Sequence, residues 1–104
     1  MPFKTFNPKG IEKAAAEVAG ILRTLANERR LMILCKLVEW GEANVTALAE
    51  TVGLSQSALS QHLAKLRSMN LVETRRDRQT IYYSCKSDAV RRLVGTLEDM
   101  FDKR

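Results

Sequence analysis

With 104 residues, the chain has the length for one domain with a modest core, spanning 1–104, and none to spare for a second. Its 45% hydrophobic and 28% charged residues exclude a disordered polymer, and the longest apolar run, residues 31–38, is broken by Lys36 and is too short to cross a bilayer. The net charge of +5 favours a polyanionic partner, because basic side chains displace the counterions condensed on phosphates. No signal-like apolar segment occurs within residues 1–10, so a cytoplasmic location and reduced thiols at the two cysteines are expected.

Asn7 and Pro8 have the form of an N-cap and first-turn proline. Beyond them Ile11, Ala15, Val18, Leu22 and Leu25 recur at helical spacing, which predicts a long amphipathic helix over 8–25. Asn27 is placed to cap a second helix, with Glu28 favourable to its dipole, and Leu31, Leu34, Cys35 and Val38 form its apolar stripe up to Gly41. From Asn44 a third helix carries Val45, Leu48, Ala49 and Val52 on one face. Gly53 then supplies the positive φ that ends it.

Ser55 caps a fourth helix that runs to Ser68. Leu59, Leu63 and Leu66 share one side, Ser57, Gln61, Ala64 and Ser68 the other, and Ser60 lies on the flank. Two helices joined by a short glycine corner predict a helix-turn-helix over 44–68. After Asn70 the pattern becomes strand-like. Residues 72–76 and 79–84 are rich in Val, Thr, Ile and Tyr, which predicts a hairpin, or wing, over 71–84 around Asp77 and Arg78. That turn lacks glycine, so a loose tip is expected and the register stays open. A last helix from Ser87 or Asp88 carries Val90, Leu93, Val94, Leu97 and Phe101 on one side. The expected fold is therefore mainly α with a small β-hairpin: a winged helix-turn-helix.

A helix that enters the major groove must offer short hydrogen-bonding side chains from its first turns. Gln56, Ser57, Ser60 and Gln61 meet that demand and are the expected base readers, since glutamine can make two hydrogen bonds to adenine. Ser55, Lys65, Arg67, Arg75, Arg76 and Arg78 are the expected contacts to the DNA backbone, the last three grouped at the wing tip. The bland alternatives are a solvated helix face and a charged loop that keeps an edge strand soluble. Dimerisation is expected through 8–25 and 88–103, because a small core covers only part of the stripes formed by Ile11, Ala15, Val18, Leu22, Val90, Leu93, Val94, Leu97 and Phe101. A two-fold dimer would set two recognition helices about 34–36 Å apart and require a pseudo-palindromic duplex.

The segments Leu25-Ala26-Asn27-Glu28-Arg29-Arg30-Leu31, Leu54-Ser55-Gln56-Ser57-Ala58-Leu59-Ser60-Gln61-His62-Leu63 and Arg75-Arg76-Asp77-Arg78-Gln79-Thr80-Ile81-Tyr82-Tyr83 resemble the ArsR/SmtB family. The resemblance spans nearly the whole chain and implies a helical winged-helix dimer that represses by occupying promoter DNA. Within the family the likeness is to regulators of nodulation genes, and the leading expectation is a ligand-independent repressor that binds an imperfect inverted repeat.

Many such regulators sense metals, and the resemblance also shows where this chain departs from them. Residues 42–50 contain no cysteine or histidine where the family's thiolate motif would lie, and Val90 stands where a histidine is placed after Asp88. Neither a metal nor any cofactor is expected. His62, beside Leu59 and Leu63, reads as a packing or hydrogen-bonding residue. Another branch responds to oxidants through paired cysteines. Cys35 matches its first, but Asp102 stands where the second would be, and Cys85 lies at the end of the hairpin. A thiol-responsive repressor using Cys35 and Cys85 is thus one alternative, and a winged-helix adaptor binding an acidic protein is another. No activated nucleophile or glycine-rich phosphate loop occurs, so an enzyme is not expected.

Overall fold

The computed structural model describes residues 8–102. Helix α1 spans Pro8–Lys13 and α2 spans Ala15–Leu25, so the expected single helix is interrupted at Ala14. Ala14 has φ −102° and ψ 13°, and its amide is shared between the carbonyls of Gly10 and Ile11 at 3.2 and 3.1 Å. Apolar spacing continues across this point, but residues 9–13 are all exposed, and no packing against the core holds α1 in line with α2. The proposed Asn7 cap lies outside the described residues.

Helix α3 (Glu28–Trp40) starts as expected, with the Asn27 side chain accepting the Arg30 amide at 3.1 Å, and ends at Gly41 with φ 85°. Strand β1 (Ala43–Asn44) follows. It escapes sequence reading because two residues are too few to show alternation. Asn44 also caps helix α4 (Val45–Val52), accepting the Ala47 amide at 2.8 Å.

Helix α5 spans Gln56–Ser68, and Asn70 at φ 60° turns the chain out of it. Strands β2 (Val72–Asp77) and β3 (Thr80–Cys85) form the hairpin, and β3 also pairs with β1, giving an antiparallel sheet ordered β1-β3-β2. The expected loose tip is corrected. Asp77 pairs with Thr80, leaving a two-residue turn in which Arg78 itself adopts φ 60° in place of a glycine. Helix α6 (Asp88–Asp102) closes the fold, its first turn capped by Ser87, whose hydroxyl oxygen accepts the Val90 amide at 3.1 Å.

Helix α3 is the central post. Its Ile33, Leu34 and Leu37 are fully buried in one cluster with Leu48 and Val52 of α4, Leu59, Leu63 and Leu66 of α5, and Val90 and Val94 of α6. Truncating any of these leucines to alanine would cost about 2–5 kcal/mol by lost transfer energy and the cavity left behind. Two members of the expected dimer stripe are thereby corrected: Val90 and Val94 have no exposed surface and face this chain's own core. Among the described residues no helix is long and apolar enough to cross a membrane.

Candidate nucleic-acid interface

The corner between α4 and α5 determines how α5 is presented. Gly53 takes φ 70° and ψ 38°, and its amide, with that of Leu54, returns to the Ala49 carbonyl. The Val52 carbonyl, left without a partner at the helix end, accepts from Arg29 Nη1 at 2.9 Å, which ties the corner to α3. Ser55 then caps α5, its Oγ accepting the Ala58 amide at 3.1 Å. That bond uses a lone pair, so the hydroxyl proton remains available to an acceptor.

With Leu59, Leu63 and Leu66 anchored below, Gln56, Ser57, Ser60 and Gln61 all lie exposed on the first two turns of α5. Gln56 Nε2 reaches Thr46 Oγ1 of α4 at 3.4 Å, a long bond that is easily exchanged for a better acceptor. Thr46 is a polar residue of this face that sequence reading missed. Its signal was its place two residues after the Asn44 cap, on the side of α4 opposite the apolar stripe. Lys65 and Arg67 are exposed in the last turn of α5, where cations also complement the helix dipole. His62 is half-buried, and among the described residues no group of three or more His, Cys, Asp or Glu side chains could hold a metal ion.

The wing does not present its three arginines together. Arg76 and Arg78 are exposed toward the tip and take part in no ion pair among the described residues. Arg75 is held instead by Glu42, just before β1, through Nη2 to Oε1 at 2.6 Å and Nε to Oε2 at 3.2 Å. Its guanidinium also stacks on the Tyr82 ring, 4.6 Å from the centroid. The bond from Arg75 keeps the Glu42 carboxylate below its usual range, and the same bond raises Arg75. Period-two alternation explains the split, since Arg75 projects to the opposite sheet face from Arg76.

The expected dimer residues separate into three groups by exposure. Ile11, Leu22 and Phe101 are about half exposed, at 53%, 50% and 53%, and Met100, not foreseen, is 60% exposed. Ala15 is also exposed, whereas Val18, Leu93 and Leu97 are partly covered and Val90 and Val94 are interior. Cys35 is half-buried and Cys85 buried, and both are free. Burial raises both thiols, with Glu98 adding to the effect at Cys35. Cys85 donates to the Ser87 carbonyl at the start of α6, while Cys35 lies in the field of Glu98 near its other end.

An anchored, capped α5 with a polar N-terminal face, beside a short arginine-tipped hairpin, is the architecture of a winged helix-turn-helix DNA-binding regulator. The family described as bacterial regulatory protein, arsR family, matches residues 27–74. Nodulation protein NolR of Rhizobium meliloti is 61% identical over 87 residues, covering 83% of this chain and 70% of that protein. The crystal structure of NolR from Sinorhizobium fredii superposes with a TM-score of 0.77 at 54% identity, covering 92% of this chain and 94% of that one. The transcriptional repressor BigR from Xylella fastidiosa gives a TM-score of 0.84 at 41% identity, covering 92% and 97%. The homodimeric winged helix-turn-helix DNA-binding domain Mb0332 from Mycobacterium bovis gives 0.76 at 34%, covering 93% and 87%. The chain belongs to the arsR family of bacterial transcription regulators, whose likeness here is to DNA-binding proteins and not to enzymes.

Proposed function

We propose that this protein is a cytoplasmic, homodimeric repressor of nodulation-related genes that binds an imperfect inverted repeat in duplex DNA. The observation that carries the reading is the exposed set Gln56, Ser57, Ser60 and Gln61 on a helix whose opposite side is locked into the core. These side chains read base edges in the major groove. Ser55, Lys65, Arg67, Arg76 and Arg78 bind phosphates, and Arg75 joins them only by leaving Glu42. The likeness to NolR supports the nodulation role, and the homodimeric relative supports the dimer. Exposed Ile11, Leu22, Met100 and Phe101 on the terminal helices provide apolar surface for a second copy.

A mobility-shift titration of a selected duplex across salt tests this directly. Several phosphate contacts per subunit predict a steep linear loss of log affinity with log salt, and a flat response would overturn the reading. Light scattering of the free protein should return twice the chain mass. Thiol control is less well supported, because Cys35 and Cys85 lie toward opposite ends of α6 and burial disfavours both thiolates.

A further inference from the structure

A cavity of about 220 Å³ opens between α2, α3 and α5, lined by Gly20, Arg23, Thr24, Arg30, Lys65 and Met69. Three of these are cations and none is acidic. Among the described residues Arg23, Arg30 and Lys65 take part in no ion pair, so their charge is unbalanced where they converge.

Arg23 and Lys65 stand in the last turns of α2 and α5, where a cation is favourable without any ligand. Arg30 has no such explanation. It lies in the first turn of α3, the end where the helix dipole opposes positive charge, and its Nε is buried with no hydrogen-bond partner among the described residues. A buried donor on a charged group is costly unless an acceptor meets it. Thr24, only 4% exposed, already spends its hydroxyl proton on the Gly20 carbonyl at 2.9 Å and offers no further donor. Arg23 Nη2 lies 4.0 Å from the position a side chain at Gly20 would take, over the cavity wall.

We propose that this cavity binds a compact oxyanion of the phosphate or sulfate kind, held by Arg23, Arg30 and Lys65. The volume falls short of the roughly 300–1,000 Å³ of pockets for drug-sized ligands. Planar guanidinium forks suit tetrahedral oxyanions, and Arg30 supplies the desolvated donor that such an ion satisfies. Because Lys65 belongs to α5 and Arg23 to α2, a bound anion joins the helix that carries Gln56 and Gln61 to the helix that carries Leu22. Occupancy therefore couples the DNA-facing helix to the N-terminal arm. The same chemistry can be supplied by a free anion or by a phosphate of bound DNA, and the test separates these sources.

The full chain and its Arg30→Gln and Arg23→Gln variants are titrated with inorganic phosphate against chloride at matched ionic strength, followed by calorimetry and thermal unfolding. Arg23 is exposed, so its variant remains informative even if Arg30→Gln misfolds. A free-anion site predicts saturable phosphate binding in the wild type, weakened at least tenfold in either folded variant, with an unchanged salt slope for duplex binding. A DNA phosphate as occupant predicts instead a slope reduced by about one per subunit in the variants. Equal phosphate stabilisation of all three proteins, the general effect of an excluded salt, together with an unchanged slope, overturns the proposal. Failure to bind any duplex would sink the regulatory reading while leaving the phosphate arm to decide the site.

Discussion

Arg75 and Glu42 close a two-point ion pair between the wing and the approach to β1, with Tyr82 stacked against the guanidinium. The pair joins residues far apart in sequence, on either side of the helix-turn-helix, and so ties the wing to the segment that leads into α4. Both side chains are solvent-exposed, so the pair acts as an aligner and a reservable cation more than as a source of stability.

Replacing Glu42 with glutamine should free Arg75 for phosphate and remove a negative charge from the same face. The expected result is tighter duplex binding at low salt and a slope of log affinity against log salt steeper by about one per subunit. An unchanged slope would mean that Arg75 does not reach DNA. The pair also has a defined pH range. Its folded carboxylate takes up a proton less readily than the free one, so its contribution is fully present above the ordinary value of 4.5 and is lost as pH falls through the lower folded value. Tyr82 resonances should therefore stay constant from neutrality down to that region and move only below it.

Gln56→Ala should reduce specific affinity by about 1–3 kcal/mol, with the loss concentrated at one base position per half-site. Thr46→Ala tests the contact beneath it. If Thr46 steadies Gln56, its removal broadens the base preference at that same position; a uniform loss on every duplex would assign both residues to the phosphates instead.

At Gly53 the left-handed backbone, and not lack of space, is the constraint, since a side chain there would meet only Arg29 Nη1 at 4.0 Å. Alanine should cost roughly 1–2 kcal/mol. For a domain of this size that is a melting point lower by roughly 4–8 °C per kcal/mol. Asparagine, which tolerates this conformation, should cost less. Equal losses for the two would show that the corner is sensitive to bulk.

Cys35 and Cys85 should react slowly with iodoacetamide near neutrality, because burial raises both thiols and depletes thiolate. Cys85, the more deeply buried in the fold, should be the slower. Mild oxidant should leave duplex affinity unchanged in the wild type and in Cys35→Ala. A Cys35–Cys85 disulfide found by mass spectrometry would revive thiol control.

The helix-turn-helix is legible in the sequence because its signals are local: Asn44 and Ser55 cap, Gly53 turns, and the leucines of α5 keep helical period. What escapes is non-local. Nothing in the order of residues indicates that Glu42 meets Arg75, that a two-residue strand completes the sheet, or that Val90 and Val94 turn inward while Met100 and Phe101 remain outside. Apolar spacing identifies a stripe without saying which of two surfaces covers it. The break at Ala14 is invisible for a related reason, since alanine-rich helix propensity continues where packing does not. The tight wing turn was hidden because Arg78 accepts a backbone conformation usually left to glycine.

Base-analogue interference on a selected duplex tests the central claim most directly. Adenine is replaced in turn by 7-deaza-adenine, which removes the major-groove N7 acceptor, and binding of wild type and Gln56→Ala is measured. Two patches of interference, centred about 10–10.5 base pairs apart, with one adenine per patch no longer sensitive in the variant, are predicted. A single patch, or weak interference spread evenly along the duplex and identical in both proteins, would contradict twin α5 helices reading the major groove.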